Sequence, residues 1–236
     1  ATSPAFGLLS LRDGGRDALL TGNAKLEPLK TKGIDTGMGL ERLAMVSQGV
    51  STIFETDLFM SLTKDERGNI LLPASLTERV KRILLDHVRA STFLIADRVR
   101  PSNKEAGYIL RRLLRRAIVH IYHKGNVQFT LDMIFRQVCE MYGGTYPELH
   151  IENILPVFHE EDSKFLKTVH GGLKELSRSD KVDAKIAFKL YESYGLPYEV
   201  IKDYAGEKAR DLNREAFDAE FKKHQEISRA GQEKKF

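Results

Sequence analysis

Apolar residues recur along most of this chain at intervals of three and four, the spacing that lines one face of a helix. Leu40, Leu43, Ala44 and Val46 follow a glycine-rich stretch and predict a turn and then a helix over 35–49. Thr56 and Asp57 read as the cap of a helix running to Leu62. A long helical pattern covers 76–99. Arg100-Pro101-Ser102-Asn103 interrupts it, because the residue before a proline is pushed out of helical backbone. Ile109, Leu110, Leu113, Leu114, Ala117, Ile118, Ile121 and Tyr122 mark the next helix, over 107–122. Further helices are expected over 130–142, ended by Gly143-Gly144, over 151–177, and over 184–194 with Gly195 as C-cap and Pro197 just beyond. A charged helix runs from Glu215 to the end. By contrast 9–29, rich in Gly, Asp, Asn and Thr, reads as strand ends and loop. The segment 64–73, with Asp-Glu-Arg-Gly-Asn inside it, is the natural domain boundary.

At 236 residues and 42% hydrophobic, the chain can bury a substantial core, as two domains. No apolar run approaches the ~20 residues that span a bilayer, and the opening residues lack the basic start and apolar stretch of a signal peptide. The single cysteine, Cys139, excludes an internal disulfide and fits a reducing compartment. Its neighbours Val138 and Met141 make it a core residue and not a nucleophile. Net charge is +4, but it is unevenly spread. Between Arg79 and Lys124 stand 12 Lys/Arg against three acids, Asp86, Asp97 and Glu105. The rest of the chain is therefore net acidic. Positive charge gathered on one segment is the footprint of a polyanion partner, although a solvated helix face is the common explanation of charge runs.

The helix over 107–122 sharpens that choice. Its apolar residues occupy one broad side, and Arg111, Arg112, Arg115 and Arg116 gather on the other. A face meant only for solubility mixes signs, with Glu and Lys four apart. Four guanidinium groups with no acid among them repel one another unless something anionic lies alongside. That anion is a phosphate backbone, or else acids from another helix.

A second locus is Asp35-Thr36-Gly37-Met38-Gly39-Leu40-Glu41-Arg42. Two glycines one residue apart let backbone approach a ligand. The helix after them places Arg42 in its first turn. Helix starts favour anions, and a guanidinium there can fork onto phosphate oxygens. These residues suggest a nucleotide-phosphate site. An ordinary glycine turn before a core helix is the plain alternative.

The longer string Ile34 to Leu43 resembles motif 3 of class II aminoacyl-tRNA synthetases, and the alanyl-tRNA synthetases in particular. Two further stretches resemble the same family, in its order and near its spacing. One runs His87-Val88-Arg89-Ala90, Phe93 to Asp97, Pro101-Ser102-Asn103 and Gly107 to Arg112; the other is Phe188 to Pro197. The resemblance covers roughly Leu26 to Ala230. It implies a mainly α chain, in which a helical tRNA-recognition domain over 74–236 is preceded by a small α+β remnant of the antiparallel-sheet catalytic domain over 1–63. It implies adenylate formation from alanine and ATP with Mg²⁺, then acyl transfer to the 3′ end of tRNA(Ala). Arg42 would bind the terminal phosphates of ATP as the catalytic residue, with Gly37 and Gly39 in the ATP site. Asp35 would hold the amino group of alanine, Gly37 would leave room for that small substrate, and Glu41 would orient the motif. Motifs 1 and 2 and the editing domain with its zinc ligands find no match, so the chain reads as a central fragment, inactive in isolation. His120 and His123 stand three apart without further ligands, and no metal site is expected. The implied location is the cytoplasm, with the mitochondrion left open, and neither membrane nor DNA is an expected partner.

The helical domain in this family reads a G·U pair in the tRNA acceptor stem. The wobble leaves the guanine 2-amino group unpaired in the shallow minor groove of A-form RNA. A reader needs a rigidly held acceptor, with cations on the flanking phosphates. Asn103 resembles the family's amide reader, though a helix N-cap is an equally natural use of Asn. Glu192 occupies the place of the family's aspartate reader and is one methylene longer. Ala106 also departs from the larger residue expected there. With the four arginines, Asn103 and Glu192 make up the expected tRNA-binding set. Two other readings stay open: a tRNA-binding module without catalysis, and a helical protein-interaction domain that turns its arginines toward acidic partners.

Overall fold

The computed structural model describes residues 9–11, 26–28, 37–64, 67–122, 124 and 126–233. It divides into two compact units, Ala1–Met60 and Ser61–Phe236.

In the first unit two short strands, β1 (Leu9–Leu11) and β2 (Leu26–Pro28), pair antiparallel with Ser10 opposite Glu27. Helix α1 (Leu40–Gln48) starts at Gly39 and ends at Gly49, whose left-handed backbone (φ 64°) returns its N–H to the Met45 and Val46 carbonyls. A 3₁₀ turn (Ile53–Glu55) packs beside α1, and α2 (Asp57–Met60) comes after it. The helix expected from Thr56 to Leu62 is broken here: Ser61–Thr63 is a 3₁₀ turn, and it opens the second unit. Thr56 is fully buried, and its hydroxyl donates back to the Ile53 carbonyl at 2.6 Å.

The second unit is mainly helical, with a single antiparallel bridge between Lys64 and Ile70 among the described residues: α3 (Glu78–Ala96), α4 (Glu105–Tyr122), α5 (Val127–Gly143), α6 (Ile151–Arg178), α7 (Ala184–Tyr194), α8 (Tyr198–Ala205) and α9 (Arg214–Glu233). Side chains set the boundaries. Thr77, Asn126 and Asp183 each accept a backbone N–H three residues on, satisfying donors that a helix start leaves open. Gly195 closes α7 in the left-handed conformation that glycine tolerates best. Gly144 after α5 keeps a right-handed φ of −65°, so the Gly143-Gly144 end needs no glycine-only conformation. Helix α8 is the element that the apolar pattern does not announce. It is one of the shortest, eight residues, and begins directly at Pro197.

The core gathers around α4, which packs on α3, α5, α6 and α8. Leu110, Leu114, Ala117, Ile118 and Ile121 of α4 are buried with Leu84 and Val88 of α3, Leu131 and Phe135 of α5, and Phe158 and Phe165 of α6. The Phe135 and Phe158 rings lie 5.1 Å apart. Cys139 is half-buried and burial pushes its thiol up to about 11, so it carries no thiolate at neutral pH. No described helix is long and apolar enough to cross a membrane.

Two non-glycine residues in left-handed backbone, Arg98 (φ 64°) and Glu105 (φ 49°), bracket the connection from α3 to α4. Such residues persist only where the surroundings hold them. Gly107 supplies part of that hold, since Ser102 donates its N–H to the Gly107 carbonyl at 3.0 Å. A Cβ on Gly107 would overlap Ser102 Oγ and lie 2.5 Å from the Arg100 carbonyl oxygen. Gly107→Ala is therefore expected to lower stability by ~1–3 kcal/mol in denaturant unfolding, the usual cost of an overpacked site. A variant as stable as the wild type would mean that the loop yields freely.

Asp162, on α6, is fully buried. Burial pushes its pKa up to about 6; His159 and a side-chain hydrogen bond from Gln128 oppose the rise, and Asp132 adds to it. The folded state then holds this proton more tightly than the unfolded chain does. The stability that the proton confers is present in full below the ordinary carboxyl value and is lost as pH rises through about 6. Asp162→Asn should raise Tm at pH 7–8 by relieving up to ~3 kcal/mol, and the advantage should vanish near pH 4. His120, held near 4 chiefly by burial, titrates in the same window with opposite sign in both proteins and so cancels. A Tm gain that is the same at every pH would sink the account.

Candidate functional site

In the first unit, Gly37, Gly39 and Arg42 are all exposed. Arg42 is the third residue of α1 and its side chain runs back past Gly39, with Cγ and Cδ 3.9 Å from where a Cβ would stand there. A Cβ at Gly37 would meet nothing within 4 Å. Neither glycine has a positive φ, so these positions offer open space beside the backbone and not an unusual turn. Of the apolar residues that announce the helix, Leu40, Leu43 and Val46 are exposed too, Leu40 at 55% and Val46 at 74%, and Ala44 is half-buried. An unobstructed guanidinium beside two bare backbone positions at a helix start suits a phosphate. Asp35, the expected partner of the alanine amino group, lies outside the described residues, as does His123.

In the second unit a cavity of about 670 Å³ opens among α4, α6, α7 and α9. Asn103, Arg111, Arg112, Arg115 and Glu192, five of the six residues expected to touch tRNA, line it together. Four separate stretches of sequence, 103–115, 164–168, 188–197 and 221–224, thus converge on one concave surface. Lys104, Tyr108, Lys164, Thr168, Tyr191 and His224 complete much of the wall. Sequence reasoning missed Lys164 and His224. Lys164 looks like half of an ordinary surface pair, and indeed it bonds Glu160 at 2.5 Å. His224 sits in the charged last helix, where nothing sets it apart, yet its Nε2 lies 2.6 Å from Glu192 Oε1.

The arginines do not form the solvated face that their sequence spacing suggests. Their side chains are only 18% to 28% exposed, and each meets a carboxylate of this chain. Arg115 Nε donates to Glu161 Oε1 at 2.7 Å and Arg111 Nε lies 3.4 Å from the same oxygen. Arg112 lies 3.6 Å from Glu199, and Arg116 3.5 Å from Asp203. Glu199 and Asp203 stand one helical turn apart on α8, so the unannounced helix supplies half of the counter-charge. Arg116 also points toward His87 Nε2 at 3.4 Å and does not line the cavity.

Asn103 is exposed. Its side-chain oxygen accepts from Arg111, whose other terminal nitrogen donates to the Pro101 carbonyl at 3.1 Å. It is therefore turned along α4 toward Arg111 and does not cap the helix. Lys104 has no side-chain partner among the described residues, which leaves its ammonium free at the rim. Among the described residues there is no group of three or more His, Cys, Asp or Glu side chains that could hold a metal ion. A concave wall with oriented amide and carboxylate acceptors, cations and tyrosines can bind a polyanion and read a polar edge presented to it.

Known proteins point the same way. The alanine–tRNA ligase of Fervidobacterium nodosum is 39% identical over 220 residues, which is 88% of this chain and 25% of that protein. The alanine–tRNA ligase of Borrelia hermsii is 37% identical over 227 residues, 91% of this chain and 38% of that protein. That of Thermotoga maritima is 38% identical over 215 residues, 87% and 25% respectively. The chain thus spans between 25% and 38% of the length of these curated relatives. A family model for class II (A) tRNA synthetases matches residues 15–236, a span that takes in both the glycine-led helix and the whole of the cavity, and the chain accordingly belongs to that family.

Proposed function

We propose that this chain is part of an alanine–tRNA ligase, in which residues 1–63 supply the end of the catalytic domain with motif 3 and residues 74–236 recognise the acceptor stem of tRNA(Ala). The observation that carries the reading is the convergence of Asn103 and Glu192 on one cavity with Lys104, Lys164, Arg111, Arg112 and Arg115 around it. Asn103 Oδ1 keeps a second lone pair beyond the one taken by Arg111, and Glu192 keeps acceptor capacity beyond its His224 contact. Either can accept from a guanine 2-amino group in the minor groove. Lys104, with its free ammonium, and the exposed Lys164 are the natural phosphate contacts. Arg111, Arg112 and Arg115 add positive potential to the wall while staying paired. Arg116 lies off the cavity, and its Asp203 and His87 contacts support a packing role.

For the catalytic half, Arg42 and the open positions at Gly37 and Gly39 fit the terminal phosphates of ATP, and Asp35 is assigned to the alanine ammonium. When bound, ATP with Mg²⁺ supplies the adenyl group and the bridged phosphates. This chain's own contribution would be the Arg42 cation at a helix start, together with a backbone that does not crowd the substrate. The tRNA-binding and catalytic readings are separable, since they rest on different units.

Stem–loop RNAs carrying either a G·U pair or its G·C counterpart test the reader assignment. Asn103→Ala is expected to weaken binding to the G·U stem by ~1–3 kcal/mol and to leave the G·C stem unchanged. Parallel losses on both stems would remove Asn103 as a reader. In the full-length ligase, Arg42→Ala should slow alanine-dependent pyrophosphate exchange by ~10²-fold or more, the effect of deleting a fixed charge stabiliser. A near-normal rate would take Arg42 out of the site.

A further inference from the structure

Glu161 does not line the cavity; it lies 2% exposed beneath two arginines that do, and both guanidinium groups go on to hold backbone. Arg111 approaches Glu161 through Nε and spends its two terminal nitrogens on Asn103 Oδ1 and the Pro101 carbonyl. Arg115 donates Nε to Glu161 at 2.7 Å and Nη1 to the Gly195 carbonyl at 3.1 Å, with its plane over the Phe165 ring at 4.9 Å. Gly195 closes the helix whose last turn carries Glu192. The fit there is tight: a Cβ on Gly195 would overlap Arg115 Nη1. One carboxylate oxygen thus meets two planar forks, hydrogen-bonded to Arg115, which grips the turn beside Glu192, and paired by charge alone, without a hydrogen bond, with Arg111, which grips the loop of Asn103.

We infer that Glu161 is a positioning residue that fixes the two reader segments relative to each other, acting through Arg111 and Arg115. It touches no RNA. The inference rests on the reading of the cavity as a base-pair reader, but the bracing is a property of the free protein as well. A guanidinium suits this use because its donors point in a fixed fork, whereas a lysine would offer a single point of charge. Without the carboxylate, two arginines would be left partly buried and facing one another, which is costly enough to drive them toward solvent. They would then enter the cavity as unassigned positive charge. Selectivity would fall while general attraction for RNA rises, a combination that plain loss of stability does not produce.

Glu161→Gln in the whole chain tests this, because it keeps the volume and removes the charge. The ratio of G·U to G·C stem binding is expected to fall about tenfold, the loss of one base-specific contact. Binding to the G·C stem should hold or tighten, with a steeper salt dependence. Without RNA, hydrogen exchange should quicken at Ser102 and Lys104 and at Gly195 and Leu196, while the amides of α5 stay protected. Unchanged ratio and exchange would overturn the inference, and so would exchange that quickens across α5 as well. Local loosening in a protein that shows no G·U preference even as wild type would uphold the bracing and sink the base-pair reading. Arg115→Lys is the second variant, should Glu161→Gln fail to fold. It is expected to loosen 194–197 and spare 100–104, and equal loosening of both, or of neither, would overturn the shared anchor.

Discussion

A helix that carries an apolar stripe on one side and four guanidinium groups on the other can be buried only if something meets the charge. In this chain α4 is the central helix of the larger unit, so both sides are covered, and the rest of the packing obeys that demand. Glu161 on α6 faces Arg111 and Arg115, and Glu199 and Asp203 on α8 face Arg112 and Arg116. Paired in this way the arginines anchor α6 and α8 to α4. Removing one member of such a pair strands the other in a poorly solvated place, a loss of ~3–5 kcal/mol in comparable buried sites.

The same pairing leaves the cavity wall positively charged with few fully exposed arginines. Long cationic side chains left in water gain little specificity, because they are mobile and screened. Here the guanidinium groups are tied down and serve two segments that come from distant parts of the sequence. The loop at 98–105 is bounded by two left-handed non-glycine residues and pressed onto Gly107, and the turn at Gly195 is pressed onto Arg115. Both are backbone arrangements that need a firm support. On the proposed reading, phosphate attraction falls to the lysines at the rim, Lys104 and Lys164, so that rigid acceptors within and flexible cations at the edge would divide specificity from affinity.

The glycine-led helix in the smaller unit is built differently. Arg42 is exposed and the two glycines border open space, so the geometry is receptive without being closed around anything. Leu40, Leu43 and Val46 of α1, which help to signal the helix, are likewise turned to the exterior.

Much of this was legible in the sequence for a simple reason. Periodicity and caps are local, and the end of α7 at Tyr194 could be placed to the residue because a Gly and a Pro mark it. The motif strings pointed to the family, and Asn103 and Glu192 do meet in one cavity. Two things only the tertiary structure decided. Helix α8 is too short to show a convincing period, and with it went the acids four apart, Glu199 and Asp203, that neutralise half of the arginine row. The role of Glu161 was hidden in a run of acids beside Glu160 and Asp162. These three neighbours on α6 look alike in sequence, yet one pairs with an exposed lysine, one is buried between two arginines, and one is fully buried where burial raises its pKa. A local pattern shows which residues carry charge, whereas the partner that each charge meets depends on which helices pack together.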